Sequence, residues 1–117
     1  MTTGSLQIEI DLSTTTSCVA VYRNGNVEVI PNDISQYITP SYVSYAEGKE
    51  LIGEAANQKI INYPECTFYD VKRLIGRRYK DKSLQDYIKL LSYKSRIKES
   101  ITGRCIMDIK KQIKFIQ

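Results

Sequence analysis

The stretch that most constrains the fold of this chain is residues 6–29, which combines three strand patterns with two tight turns. Residues 6–12 alternate apolar and polar side chains, the period-two pattern of a half-buried strand. Residues 18–22 are apolar throughout, as in a strand that is covered on both faces. Asn24-Gly25 fits a two-residue hairpin turn with positive φ, and residues 27–30 continue a third strand. The pattern therefore predicts an antiparallel three-stranded meander.

The first turn of this meander, residues 13–17, consists entirely of serine and threonine, and Asp11 precedes it. Consecutive backbone N–H groups in a tight turn can form a concave anion site, and short hydroxyl side chains add donors. A carboxylate just upstream can hold a hydrated Mg²⁺. Runs of serine and threonine also commonly bond to their own turn backbone, and on the run alone this structural interpretation is favoured over a nucleotide site.

Length and composition restrict the class of protein. With 117 residues, the chain amounts to one domain at most, and its net charge is +4. The absence of histidine excludes histidine-based catalysis and histidine-ligated metals, and the three cysteines match no zinc or redox motif. Cys18 is expected to be a small buried core residue. We find neither a membrane-spanning run nor a secretory leader, and therefore expect a protein of the cytoplasm or nucleus.

Beyond the meander, the sequence predicts short strands and helices. Residues 42–45 have a strand pattern, and residues 53–61 have helical propensity. A helix is predicted from Thr67, as its N-cap, to residue 76, and another at residues 83–92.

The end of the chain, residues 94–117, is basic. It carries seven Lys/Arg and two Asp/Glu, a balance of 7 − 2 = +5, against 10 − 11 = −1 for the rest. Isoleucines at positions 106, 109, 113 and 116 have the spacing of an amphipathic helix. Such an end can bind nucleic acid or an acidic membrane, but more often it is a solvated helix face, and aromatic residues suited to base stacking are not interleaved with the charges.

Five blocks of this sequence, taken in order and in register, resemble the N-terminal part of the seventy-kilodalton heat-shock chaperone family. The blocks are residues 10–21, 27–33, 38–43, 51–58 and 71–78. Each block alone is modest support, but five at matching spacing are specific. The resemblance covers roughly residues 6 to 91, so that residues 94–117 form a divergent basic end.

The resemblance implies a fold of the α/β class: a partial actin-like, ribonuclease-H-like nucleotide-binding lobe over residues 1–117. It implies ATP or ADP and Mg²⁺ as ligands. The family's phosphate loop falls on Ser13, Thr14, Thr15 and Thr16, and its metal-side aspartate, acting through water, falls on Asp11.

The family's catalytic, phosphate-contacting lysine falls on Lys72. A lysine ammonium is a compact charge that can neutralise phosphate oxygens during hydrolysis. Without the resemblance, Lys72 would be read as a solvated helix lysine. Unfolded polypeptides and co-chaperones are the partners that the family implies, together with a role in protein folding and the stress response.

The chain also departs from the family's pattern. Ser13 replaces a glycine of the phosphate loop, and its Cβ is expected to weaken or reshape the clamp. Residues 35–37 read Ser-Gln-Tyr where the family has Gly-Asn-Arg, which removes a charge. The second phosphate loop, the adenosine pocket and the peptide-binding domain have no counterpart in these residues.

Two functions of different classes follow. The first is an ATP-binding fragment of a chaperone ATPase with little or no hydrolysis by itself, because one phosphate loop without an opposing lobe cannot enclose ATP and exclude water. The second is a non-catalytic interaction module or inactive remnant, since a half-lobe would expose apolar faces. Nucleic-acid binding through the basic end is a third, weaker hypothesis, and membrane binding is not expected.

Overall fold

The predicted meander forms, and it is the first of three small sheets. The computed structural model of the protein describes residues 6–109 and 112–115. In it, β1 (Gln7–Leu12), β2 (Thr16–Arg23) and β3 (Asn26–Ile30) pair antiparallel in the order β1-β2-β3. Asn24 and Gly25, at the turn between β2 and β3, have φ angles of 53° and 78°, which confirms the predicted hairpin turn.

The rest of the described chain is built from short elements. β4 (Thr39–Pro40) pairs with the start of β2 and so extends the meander sheet. The further strands and the two α-helices are β5 (Val43–Ser44), β6 (Leu51–Ile52), α1 (Glu54–Asn57), β7 (Thr67–Phe68), α2 (Lys82–Ile88), β8 (Ile97–Glu99), β9 (Cys105–Ile109) and β10 (Gln112–Phe115). A second sheet has the order β6-β5-β7 and a third the order β10-β9-β8, both antiparallel.

The hydrophobic core lies away from the meander. It brings together β7, α2, β8 and β9, and its central side chains are almost entirely removed from solvent: Phe68, Leu74, Leu84, Ile88, Leu91, Tyr93, Ile97, Cys105, Met107 and Ile109. Three rings pack edge to face in this core, with Phe68 and Tyr69 both against Tyr93 at centroid distances of 5.0 and 5.4 Å. In contrast, Cys18 in β2 is only half-buried, so the expectation of a buried core cysteine is wrong for this residue.

Two of the predicted helices form, but both are shorter than expected. The helix predicted at residues 53–61 is limited to α1, and the helix predicted at residues 83–92 is α2. Asp81 caps α2, because its carboxylate accepts the backbone N–H of Ser83 at 3.0 Å. The helical spacing of residues 84, 88 and 91 correctly identified side chains of the core.

The helix predicted from Thr67 to residue 76 is wrong. Thr67 is not an N-cap but lies with Phe68 in β7, paired to β5, and both side chains are buried. Asp70 then takes a left-handed conformation (φ 53°), which no α-helix accommodates, and only Val71–Arg73 turns, as a 3₁₀ helix. Pairing of the strand to β5 therefore overrides the local helical spacing.

The amphipathic helix predicted at the end of the chain is also wrong over the described residues. Ile106 and Ile109 lie in β9, which is the central strand between β8 and β10, and Ile113 lies in β10. Four of the five residues of β9 are buried, so the run is apolar because both faces are covered. Ile116 lies outside the described residues. The hypothesis that a basic helix face binds nucleic acid required this helix, which does not form over the described residues.

Gly53, between β6 and α1, packs closely against β4 of the meander sheet. Its φ of 71° lies in the region that favours glycine, and a Cβ at this position would come within 2.8 Å of the Thr39 Cγ2 atom in β4. Its backbone N–H donates to the carbonyl of Tyr42 at 2.9 Å. No helix in the part of the chain that the structure describes is long and apolar enough to cross a membrane.

Candidate nucleotide-binding site

The hydroxyl-rich turn between β1 and β2 closes on itself and leaves donors free at its tip. The backbone N–H of Ser13 donates to the carbonyl of Thr16 at 3.0 Å. Within residues 6–109, neither the backbone N–H groups of Thr14 and Thr15 nor their hydroxyls make a hydrogen bond. Two adjacent free N–H groups at the tip of a turn form a donor site that suits an anion.

Ser13 fits this turn although the family's loop has glycine there. The residues with positive φ in the described chain, other than glycine, are Asn24, Ser35, Glu47 and Asp70, so Ser13 is not among them. Its hydroxyl donates to the carboxylate of Asp11 at 2.7 Å. The turn therefore needs no positive φ at position 13. The serine side chain links the turn to Asp11, near the end of β1.

Ser41 supports the turn from below, and the sequence analysis did not identify it as a site residue. Its backbone N–H donates to the carbonyl of Thr15 at 2.9 Å, and its hydroxyl donates to the carbonyl of Ser13 at 3.0 Å. Its hydroxyl also lies 2.8 Å from that of Ser17. The available signal was a serine directly after a proline at the end of β4, because proline fixes the strand end that presents the serine.

Lys72 lies at the base of the same turn, although it is 60 positions away from Leu12 in sequence. It is the middle residue of the Val71–Arg73 turn and is exposed. Its Nζ donates to the carbonyl of Leu12 at 2.6 Å. The structure thus brings Lys72 to the hydroxyl-rich turn, on a 3₁₀ turn instead of the predicted helix.

A groove of about 730 Å³ lies between the turn and the core. Ser13, Thr14 and Lys72 supply polar groups to its wall, and the rest of the wall is mostly apolar and aromatic, including Tyr42 and Phe68. Asp11, Thr15 and Thr16 do not line it. Of the predicted site residues, three therefore share the groove, while Thr15 and Thr16 are exposed at the turn and Asp11 contacts the turn through Ser13.

The electrostatics of the groove reflect its partly apolar wall. Burial raises the pKa of Tyr42, and the negative charge of Asp70 raises it further, so this phenol remains neutral and able to donate. Tyr42 stacks on Tyr69 with ring centroids 5.3 Å apart. Tyr42 lines the groove, so this stacking supports one aromatic side chain of its wall.

The carboxylates near the turn make a poor cage for a bare metal ion. Over the described ranges, 6–109 and 112–115, no group of three or more acidic, cysteine or histidine residues comes together as a ligand set. Asp11 is a single carboxylate with one oxygen already bonded to Ser13. This donor set fits only a cation that keeps most of its waters, as Mg²⁺ does.

The described residues form part of a nucleotide-binding lobe, with mixed α and β elements around an antiparallel meander. A sequence model of the family described as Hsp70 protein matches residues 7–116, and the chain therefore belongs to the Hsp70 family. The match includes residues 92–116, beyond the blocks on which the resemblance was drawn. Membership of this family points to an ATP-binding, chaperone-type function.

Proposed function

We propose that the chain binds the phosphates of ATP or ADP at the turn formed by Ser13, Thr14, Thr15 and Thr16, with Lys72 as the cationic partner. The observation that carries the proposal is the position of the Lys72 ammonium, 2.6 Å from the Leu12 carbonyl at the base of the turn. Two free N–H groups at the tip lie in the same loop. Converging N–H donors and a lysine ammonium are groups that bind phosphate.

The role of Asp11 in this proposal is to hold Mg²⁺ through water. Its carboxylate is exposed and lies beside the turn, so that a hydrated ion there could contact both the carboxylate and a bound phosphate. Mg²⁺ would neutralise part of the phosphate charge when bound. The residues Asp11 and Ser13 would orient its waters.

Little or no hydrolysis is expected from this chain by itself. The groove is open to solvent, and among residues 6–109 its polar wall offers hydroxyls, N–H groups and Lys72 but no carboxylate that could orient an attacking water. Binding without enclosure leaves the reacting groups exposed to bulk water. From family membership we propose assistance to unfolded polypeptides and contact with co-chaperones, and we separately propose a location in the cytoplasm or nucleus.

The test is calorimetric titration of the chain with Mg-ATP, using Lys72→Ala and the control Lys80→Ala, an exposed lysine outside the groove. We expect measurable binding to the wild type and to the control, and about tenfold weaker binding to Lys72→Ala, the effect of losing one charge-assisted contact. Equal affinities for all three proteins would contradict the site. Robust ATP turnover that Lys72→Ala abolishes would support the site and contradict the expectation of low activity.

A second candidate function, a non-catalytic interaction module, is favoured by the exposed apolar face of the meander. Ile8, Ile10 and Leu12 project from the same face of β1, and each is about 60% exposed (62, 59 and 64%). Contiguous exposed apolar side chains of this kind favour association. A folded protein that gives no heat with Mg-ATP, and whose mass in sedimentation rises with concentration, would favour this function over the first.

A further inference from the structure

Asp70, two residues before Lys72, has a backbone conformation that residues other than glycine seldom adopt, although aspartate and asparagine adopt it more often than most. Its φ of 53° and ψ of 24° lie in the left-handed region. A non-glycine residue persists there only where its surroundings hold it. The conformation redirects the chain from β7 into the Val71–Arg73 turn, and it therefore sets the position of the Lys72 backbone.

The side chain of Asp70 is held by one group from α2 and by one from its own turn. The hydroxyl of Tyr87, in α2, donates to its Oδ2 atom at 2.8 Å. The Nε atom of Arg73 lies 3.9 Å from the same oxygen, and the Arg73 guanidinium lies over the Tyr87 ring at 5.7 Å from its centroid. Burial raises the pKa of Tyr87, and the bond to Asp70 raises it further, so the phenol stays protonated and remains a donor.

The backbone transmits this anchor to Lys72. The backbone carbonyl of Asp70 accepts the N–H of Arg73 at 3.0 Å. The carbonyl of the next residue, Val71, accepts the N–H of Leu74 at 2.9 Å. The Leu74 side chain is fully buried in the core. Lys72 therefore sits on a single turn that is fixed at one end by Asp70 and at the other by Leu74.

We propose that Tyr87 and Asp70 are positioning residues for Lys72: the hydrogen bond between them holds the turn that aims the Lys72 ammonium at the Leu12 carbonyl. The expected effect of this hydrogen bond on nucleotide binding rests on the proposed function. Its expected effect on the position of Lys72 does not. Tyr87 lies in α2 and touches no residue of the hydroxyl-rich turn through a described hydrogen bond, so its effect on that turn is indirect.

The first test measures Lys72 itself, without nucleotide. The variant Tyr87→Phe removes only the hydroxyl, and Tyr79→Phe is the control, since Tyr79 packs on the same core and its hydroxyl makes no hydrogen bond within residues 6–109. Acylation of Lys72 by acetic anhydride is followed by mass spectrometry. We expect the rate to rise about three- to tenfold in Tyr87→Phe, because an Nζ atom released from the Leu12 carbonyl is more accessible to the reagent. The same rate in both variants would overturn the proposal.

The second test separates positioning from packing by a conservative rescue. Asp70→Asn keeps an acceptor for Tyr87 and tolerates the left-handed conformation, whereas Asp70→Ala does neither. We expect Asp70→Asn to match the wild type in Lys72 acylation and Asp70→Ala to match Tyr87→Phe, with circular dichroism confirming that both fold. If Asp70→Asn reacts as fast as Asp70→Ala, the acceptor role is wrong.

Titration with Mg-ATP then distinguishes failure of this proposal from failure of the proposed function. If Tyr87→Phe weakens binding about three- to tenfold while Tyr79→Phe does not, positioning extends to the nucleotide. If Lys72→Ala weakens binding but Tyr87→Phe does not, the positioning proposal fails and the site stands. If Lys72→Ala has no effect on binding, the proposed function fails, and the acylation rates still decide whether Tyr87 positions Lys72.

Discussion

The meander and the core of this protein use the same apolar residue types in opposite environments. In β9, the isoleucines and the methionine are between 6 and 9% exposed, and Met107 and Ile109 belong to the core cluster that includes side chains of α2. In β1, Ile8 and Ile10 are about 60% exposed, because no element in the described part of the chain packs on that face. The comparison shows that an alternating sequence is enough to form a sheet. The sheet stabilises the fold through burial of apolar surface only where another layer covers it.

The largest expected effect follows from truncating a leucine in each region. Leu84→Ala removes a fully buried side chain from the core and should reduce the free energy of unfolding by about 3 kcal/mol. Leu12→Ala, the same change at a side chain that is 64% exposed, should cost no more than about 0.5 kcal/mol. Urea denaturation measures both. Similar losses would mean that the meander is covered in solution and would break the comparison.

A smaller effect is expected from hydroxyl pairs, one in each region. Thr67 and Ser44 are fully buried with their hydroxyls 3.0 Å apart, and Thr67 also donates to the Tyr63 carbonyl at 2.8 Å. Thr67→Val should cost about 1–3 kcal/mol, because Ser44 and the carbonyl lose a partner where water cannot replace it. Ser17→Ala removes the similar but half-buried contact with Ser41 and should cost less in thermal denaturation. The opposite order would contradict the argument.

Capping of α2 gives the third effect, which depends on pH. The bond from the Ser83 hydroxyl, then that from Arg77, lowers the pKa of the Asp81 carboxyl below its ordinary value. Because the folded pKa is depressed, this stabilisation is present above the unfolded pKa of about 4 and is lost as pH falls through the folded value. Asp81→Ala should therefore lower the melting temperature at pH 7 by less than either core variant, and the difference from wild type should shrink toward pH 3.

The smallest effect on stability is expected from adding charge to the exposed face of the meander. Ile10→Lys should change the free energy of unfolding by no more than about 0.5 kcal/mol, yet reduce self-association because it interrupts the apolar face. Ile61→Lys, at a side chain that is 84% exposed outside the meander, is the matched control. If only Ile10→Lys lowers the mass found by sedimentation at high concentration, this face drives association. Equal masses would remove it as an interaction surface.

Local patterns were sufficient to predict the meander, whereas the assignment of its first turn as a phosphate site required the resemblance. The alternation in residues 6–12 and the Asn24-Gly25 pair specify strands and a turn that need few long-range contacts. Placing Lys72 beside the hydroxyl-rich turn required the resemblance, since nothing in the local sequence connects two segments that distant.

The failures arise where tertiary pairing decides between helix and strand. Thr67 suits an N-cap and Phe68 has helical spacing with later residues, but pairing with β5 makes both a strand. Asp70, which follows in the left-handed conformation, bonds to Tyr87 of another element. The isoleucines at positions 106 and 109 fit either structure until β8 and β10 flank them. Ser41 was missed because two of its three contacts are to backbone carbonyls, and any residue type can accept such a bond.

Gly53 gives the molecule a position at which variation should be nearly forbidden. Any side chain there meets two independent penalties, a disfavoured torsion and a collision with the threonine methyl of β4, so that relief of one leaves the other in place. Because Ser41 follows β4 directly and supports the hydroxyl-rich turn, an alanine at position 53 should disturb that turn from a distance. A scan of all substitutions along residues 39–60 should therefore find its least tolerant site at a residue with no side chain at all.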